Sequence, residues 1–257
     1  MAFKPTCGLG NRLCGLMNMF YLHQIYPEVD CYLIWIPNNH CDVHIGDLID
    51  LSGPEYKWIR SGAEYDTHIF PKYRQSELWA STSSNQRTRW DDPDEWKKHP
   101  HIRSIAFHLY QFVSHEFCVK TFNSFKLQEC VVKMIDLKRL SLPKSNPDLI
   151  HMRKGDLMKI IESIDQKVAD NLLQQYAQLR HKYPDAMTVE YTQETVHRDR
   201  NHMIDSMSDL LVFARYCKLK VYCPYSWFSS WILILSEQYD PKYPVFNINY
   251  PMMYELP

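Results

Sequence analysis

The residues best suited to hold an anion lie in His151-Met-Arg-Lys-Gly-Asp156, where an imidazole, a guanidinium and a carboxylate fall within six positions. The preceding residues, Asp148-Leu-Ile-His-Met152, read as a strand. Alternation along it puts His151 and Arg153 on the same side. A planar guanidinium fork matches the paired oxygens of a pyrophosphate better than an ammonium point charge does. Asp156 is placed to orient Arg153 or to bind a hydroxyl. The simpler alternative is a strand-edge salt bridge between Arg153 and Asp156.

Three other stretches carry related chemistry. Gly8-Leu-Gly-Asn-Arg-Leu13 leads into a helical pattern at Leu13, Leu16, Met17 and Phe20. Glycines there allow a tight turn and close approach to a ligand. The helix N-terminus adds N–H groups and partial positive charge, with Asn11 and Arg12 as further donors. It matches neither the dinucleotide fingerprint nor a P-loop, and a turn with a solvated arginine is the plainer reading. Tyr225-Ser-Trp-Phe-Ser-Ser-Trp231 offers Ser226 as a helix N-cap. Ser226 and Ser229 there suit a phosphate, with Phe228 and Trp231 packing inward. Asp205-Ser-Met-Ser-Asp209 sits on a predicted helix, where a carboxylate can accept from the edge of a guanine or stand as an ordinary surface acid.

The elements that must position these residues follow from hydrophobic patterning. After Asp148 the chain alternates strand and helix. Strands fall at 148–152, 187–191, 219–223 and 244–248, and helices are marked by Val168, Leu172, Tyr176 and Leu179, by Ile204, Met207, Leu211 and Ala214, and from about Ser226. That alternation specifies βαβ units and a parallel sheet, whose ligands bind beyond the carboxyl ends of the strands. The N-terminal part contributes the helix from Leu13 and a buried strand at 31–36. Residues 52–103 are rich in Trp, Ser, Pro and charge and read as irregular, and 104–140 turns helical again. Pro143 and Pro147 bracket a polar stretch, so the domains are expected at 1–143 and 144–257.

Composition narrows the class. The 257 residues carry 29 basic and 30 acidic side chains for a net charge of -1, which excludes the cationic field used for non-specific nucleic-acid binding. No apolar run approaches the roughly 20 residues of a membrane helix. The N-terminus lacks a signal-peptide pattern, and the expected location is cytoplasmic. The eight cysteines form no Cys-x-x-Cys pair, so buried free thiols are expected rather than a zinc ribbon. Twelve histidines invite a metal reading. Neither His40, Cys41 and His44 nor His99 and His101 reproduces a ligand spacing, and no metal is expected.

Together these motifs resemble the fucosyltransferase-like glycosyltransferases. Gly8-Leu-Gly-Asn-Arg-Leu13, the strand with Trp35, Cys41 and Asp47-Leu48 are similar to the family's N-terminal signature. His151-x-Arg153-x-x-Asp156 is similar to the motif shared by α1,2-, α1,6- and protein O-fucosyltransferases. The Asp209-Leu-Leu helix and Ser226-x-Phe228-Ser229 resemble later motifs. The match covers about residues 7–50 and 148–236. It implies an α/β, GT-B-like fold with two Rossmann-like halves and a central cleft. It also implies an inverting, metal-independent enzyme that transfers L-fucose from GDP-fucose to a glycan hydroxyl. Arg153 would bind the pyrophosphate, His151 the ribose and Asp209 the guanine. Ser226, Phe228 and Ser229 would line the phosphate and base pocket, and Gly10, Asn11 and Arg12 would face the pyrophosphate from the N-terminal half. Arg153, Asp156 and Glu162 are the candidate catalytic residues. Two departures stand out. Only about six residues precede the glycine loop, and Glu162 lies one position away from the family's glutamate. Rival readings are another donor, GDP-rhamnose or a UDP-pentose, and a non-catalytic nucleotide- or glycan-binding module.

Overall fold

A computed structural model describes residues 2, 3, 5, 8–28, 31–60, 103–104, 113–153, 165–191, 199–223, 226–243 and 253–257. The chain divides into two compact units, Met1–Cys130 with Arg198–Ile204, and Val131–His197 with Asp205–Pro257. Each is built on its own sheet.

In the first unit β1 (Ala2–Phe3), β2 (Tyr32–Ile34), β3 (Ile59–Arg60) and β4 (Arg103–Ser104) form a parallel sheet in the order β3-β2-β1-β4. β1 is only two residues long, yet it pairs on both sides. The short segment before the glycine loop is therefore a central strand, and the loop does follow a strand. Helix α1 (Leu9–Ile25) comes next. The i, i+3, i+4 pattern predicts one buried stripe, but from Arg12 to Met19 every residue is buried, while Phe20 is only partly so. A helix enclosed on all sides belongs to the core rather than the surface. Helix α2 (His115–Ser124) starts at Ser114, whose hydroxyl accepts from the Phe117 N–H at 3.2 Å.

The second unit begins with most of helix α3 (Glu129–Leu140). Its sheet has β5 (Asp148–Arg153), β6 (Met187–Tyr191), β7 (Lys218–Tyr222) and β8 (Tyr254–Glu255) in the order β6-β5-β7-β8. β5 is parallel to both neighbours, and β8 runs antiparallel to β7. Leu149 to Met152 are all buried, as a strand covered on both faces requires. Ile150 and Met152 pack on helix α4 (Gln166–Lys182) through Ala169, Leu172 and Tyr176, with Val168 and Leu179 at the rim. The alternate face meets helix α6 (Trp227–Leu235), where the Tyr222 hydroxyl lies 3.2 Å from Ser230 Oγ. Helix α5 (Arg200–Tyr216) buries Ile204, Met207, Leu211 and Ala214 as its periodicity predicts.

α3 joins the second unit although Pro143 is the sequence's clearest break. The Ser208 hydroxyl donates to the Val131 carbonyl at 3.4 Å, and Lys138 reaches Asp209 at 2.6 Å. These ties bind α3 to α5 more firmly than a proline pair can separate them. The strand expected at 244–248 lies outside the described residues. Cys14, Cys31, Cys41, Cys118, Cys217 and Cys223 are buried free thiols, and Cys130 is partly exposed. No described helix is long and apolar enough to cross a membrane.

Candidate active site

Topology places the site before any side chain does. From β5 the chain runs to β6 on one side, then crosses back to β7 on the other. The onward connections of adjacent parallel strands β5 and β7 thus leave in opposite directions. Such a reversal opens a crevice at the strands' carboxyl ends. β5 delivers His151 and Arg153 there, and β7 delivers Cys223 and the turn into α6.

The turn is held tightly. The Ser226 N–H donates to the Cys223 carbonyl at 3.3 Å, and Ser226 Oγ accepts from the Ser229 N–H at 3.4 Å. Ser226 is thus the N-cap of α6, as its residue type favours. Ser229 Oγ lies 2.5 Å from His151 Nδ1, and both residues are fully buried. Phe228 stacks on the imidazole with centroids 5.5 Å apart and planes 26° apart. Only Trp231 of the two aromatics packs fully inward, whereas Phe228 remains partly exposed beside His151. The N-terminal end of α6 turns its partial positive charge toward this cluster. An imidazole, two hydroxyls, an aromatic face and a helix dipole therefore meet at the switch point.

Other expected residues fall differently. Arg153 is the last residue of β5, and its side chain lies outside what the structure describes. Asp156 and Glu162 also lie outside the described residues, as do residues 61–102 of the Trp-rich stretch. Asp209 is on α5 and accepts from Lys138 Nζ at 2.6 Å, while Asp205 accepts from the same ammonium at 2.7 Å. Burial works against the Lys138 charge, but the two carboxylates outweigh it and raise its pKa above the ordinary value. One oxygen of Asp209 is therefore engaged by an amine, and a base edge would share the carboxylate with it. Nothing in the spacing of Lys138, 71 residues upstream of Asp209, signals this contact.

In the first unit Gly8 is the N-cap of α1, with φ -66° and ψ 178°. Any residue adopts that backbone, so a tight turn does not explain the glycine there. Gly10 and Asn11 stand in the first helical turn, Gly10 buried and Asn11 partly so. Arg12 is not solvated. It is fully buried, donates from Nη2 to the Ile36 carbonyl at 2.8 Å, and lies 5.0 Å over the Trp35 ring. Trp35 in turn donates its indole N–H to the Val43 carbonyl at 2.8 Å. Arg12 thus pins the end of β2, a role that its place in a loop motif conceals. Asp47 accepts from Arg200 Nε at 2.8 Å.

No protein-family model matches this sequence, and no curated protein matches it. Solved structures do. The fucosyltransferase NodZ from Bradyrhizobium is 13% identical, with a TM-score of 0.55 over 91% of this chain and 93% of that one. NodZ α-1,6-fucosyltransferase soaked with GDP-fucose is 14% identical, with a TM-score of 0.54 over 100% of this chain and 99% of that one. The same enzyme co-crystallised with GDP is 14% identical, with a TM-score of 0.54 over 91% and 92% of the two chains. The α/β fold of this chain is that of these GT-B structures.

Proposed function

From the premise that this chain has the fold of structures soaked with GDP-fucose or co-crystallised with GDP, we propose that it is an inverting glycosyltransferase moving L-fucose from GDP-fucose to a glycan hydroxyl. The observation that carries the reading is the buried His151–Ser229 pair under Phe228, set at the reversal between β5 and β7. Fold alone hosts many chemistries. A buried polar cluster at the end of the sheet where such folds bind ligands supports a nucleotide-sugar reading.

The chemistry assigns roles as follows. The acceptor hydroxyl attacks the anomeric carbon, the bond from that carbon to the β-phosphate oxygen breaks, and GDP departs with its electron pair. Asp156 or Glu162 takes the hydroxyl proton. The guanidinium of Arg153 and the N-terminal dipole of α6 stabilise the negative charge growing on the leaving diphosphate. Those fixed charges stand in for a divalent ion, so transfer proceeds without one. His151 binds the ribose, and Asp209 reads the guanine edge. Gly10 and Asn11 meet the pyrophosphate from the first turn of α1.

Thermal shift with GDP and UDP tests the reading. GDP at about 100 times its Kd contributes about 2.7 kcal/mol, a rise of about 5 °C or more for a chain of this length. Stabilisation by UDP alone overturns the guanine assignment. Transfer or hydrolysis of GDP-fucose that continues at full rate in EDTA is the expected companion result. A rate that collapses with the chelator removes the metal-free mechanism.

A further inference from the structure

The geometry assigns Ser229 a task beyond lining a pocket: it fixes the tautomer of His151. The inference rests on the nucleotide-sugar reading only for its consequence, not for the contact itself. His151 comes from the middle of the sheet and Ser229 from the third residue of α6, 78 positions later. Their 2.5 Å contact is therefore made by tertiary packing. Neither residue is exposed, so water does not compete for the bond.

Two protonation patterns fit that distance. Either Ser229 donates to a bare Nδ1, or Nδ1–H donates to the hydroxyl oxygen. The helix decides between them. The first turn of α6 carries partial positive charge, which favours an electron-rich acceptor facing it over a second N–H dipole pointing into it. Ser229 therefore donates, Nδ1 accepts, and the ring proton stays on Nε2. The stack with Phe228 holds the ring plane, and Ser226 Oγ holds the Ser229 backbone. His151 then presents an N–H rather than a lone pair from Nε2, which is the polarity that a diphosphate or ribose oxygen needs. Ser229 is a positioning residue in this scheme, acting through His151.

The direct test is nitrogen-15 NMR of the full chain with labelled histidine. The spectra are recorded at pH 8, and a ring with both nitrogens protonated would show as such. The His151 ring, assigned through its Cβ correlations, is expected to show a bare Nδ1 and a protonated Nε2. The opposite pattern in the wild type overturns the proposal outright, with no variant needed. Ser229→Ala is expected to average the two tautomers and to weaken GDP binding by about tenfold, the scale of one hydrogen bond to a charged group. Ser229→Thr, which keeps the hydroxyl, restores the wild-type pattern. An unchanged tautomer in Ser229→Ala also overturns the proposal. If the tautomer shifts as expected but wild-type protein binds no GDP, the positioning role stands and the functional reading falls.

Discussion

Helix α6 begins at the carboxyl ends of β5 and β7 and finishes near their amino ends, and its two termini sit in different surroundings. At the first, buried Ser226, Ser229 and His151 form a hydrogen-bonded cluster under Phe228. At the second lies a hollow of about 820 Å3, lined by Arg139, Lys144, Arg215 and Lys218 among others. By volume and basic charge the hollow is the more obvious anion site. Its electrostatics say otherwise. The C-termini of α3, α5 and α6 all reach it, at Leu140, Tyr216 and Ser236. Their last carbonyls are negative and lack intrahelical partners. Cations there complement three helix dipoles, whereas the other end offers a helix N-terminus beside buried polar side chains, the polarity that an anionic ligand would complement. Under the proposed function, the sign of the helix ends rather than cavity size decides where the donor binds.

The largest test of that contrast is Arg153→Ala. If Arg153 holds the departing diphosphate as proposed, its loss is expected to cut transfer by about 10²- to 10³-fold, as loss of one preorganised donor does elsewhere. Steady-state assay with GDP-fucose measures it, and a loss below threefold removes Arg153 from the mechanism. Ser226→Ala is expected to act next, through structure. Loss of an N-cap costs about 1 kcal/mol, which lowers Tm by about 2–4 °C in a chain of this size. Calorimetry checks it. An unchanged Tm means the cap does not hold the turn.

These residues differ in how far the sequence reveals them. Ser226 as a cap and Ile204, Met207, Leu211 and Ala214 as a buried stripe are local features, set by neighbours three or four residues away. They are legible in the order of residues alone. The His151–Ser229 bond is not, because both partners carry a signal but 78 residues separate them. Arg12 is a different case. Its motif marks it as a donor to a ligand and gives no sign of its packing against Trp35 and the Ile36 carbonyl inside the first unit. β1 escapes periodicity altogether, since two residues show no alternation and only pairing on both sides makes them a strand. Lys138 sits in an ordinary helical run, and its partners Asp205 and Asp209 become visible only when α3 packs on α5.

The amino-end hollow supplies smaller effects, which sharpen the comparison by their size. Arg139→Ala with Lys218→Ala removes two of its cations. If they only complement helix C-termini, each contributes about 0.3–1 kcal/mol, and the GDP-induced rise in Tm is unchanged. A GDP shift that halves in the double variant would reverse the assignment of the two ends.

The hollow's thiol gives the smallest expected signal of all. Burial pushes Cys217 up to about 12. At pH 8 that leaves about one thiolate in ten thousand, and the thiolate is the reactive form. Iodoacetamide at pH 8 should therefore leave Cys217 unmodified in the folded chain over hours and alkylate it in urea, as peptide mass spectrometry reads. An anion site built to hold a ligand in this hollow would surround the thiol with cations acting at close range, and those would lower its pKa and speed alkylation. The expected inertness has burial as its cause, as packing around a thiol would give and a cationic ligand site would not. Rapid labelling of native Cys217 would show that the cations converge inward, and the amino end would then compete with His151 and Ser229 as the place where an anion binds.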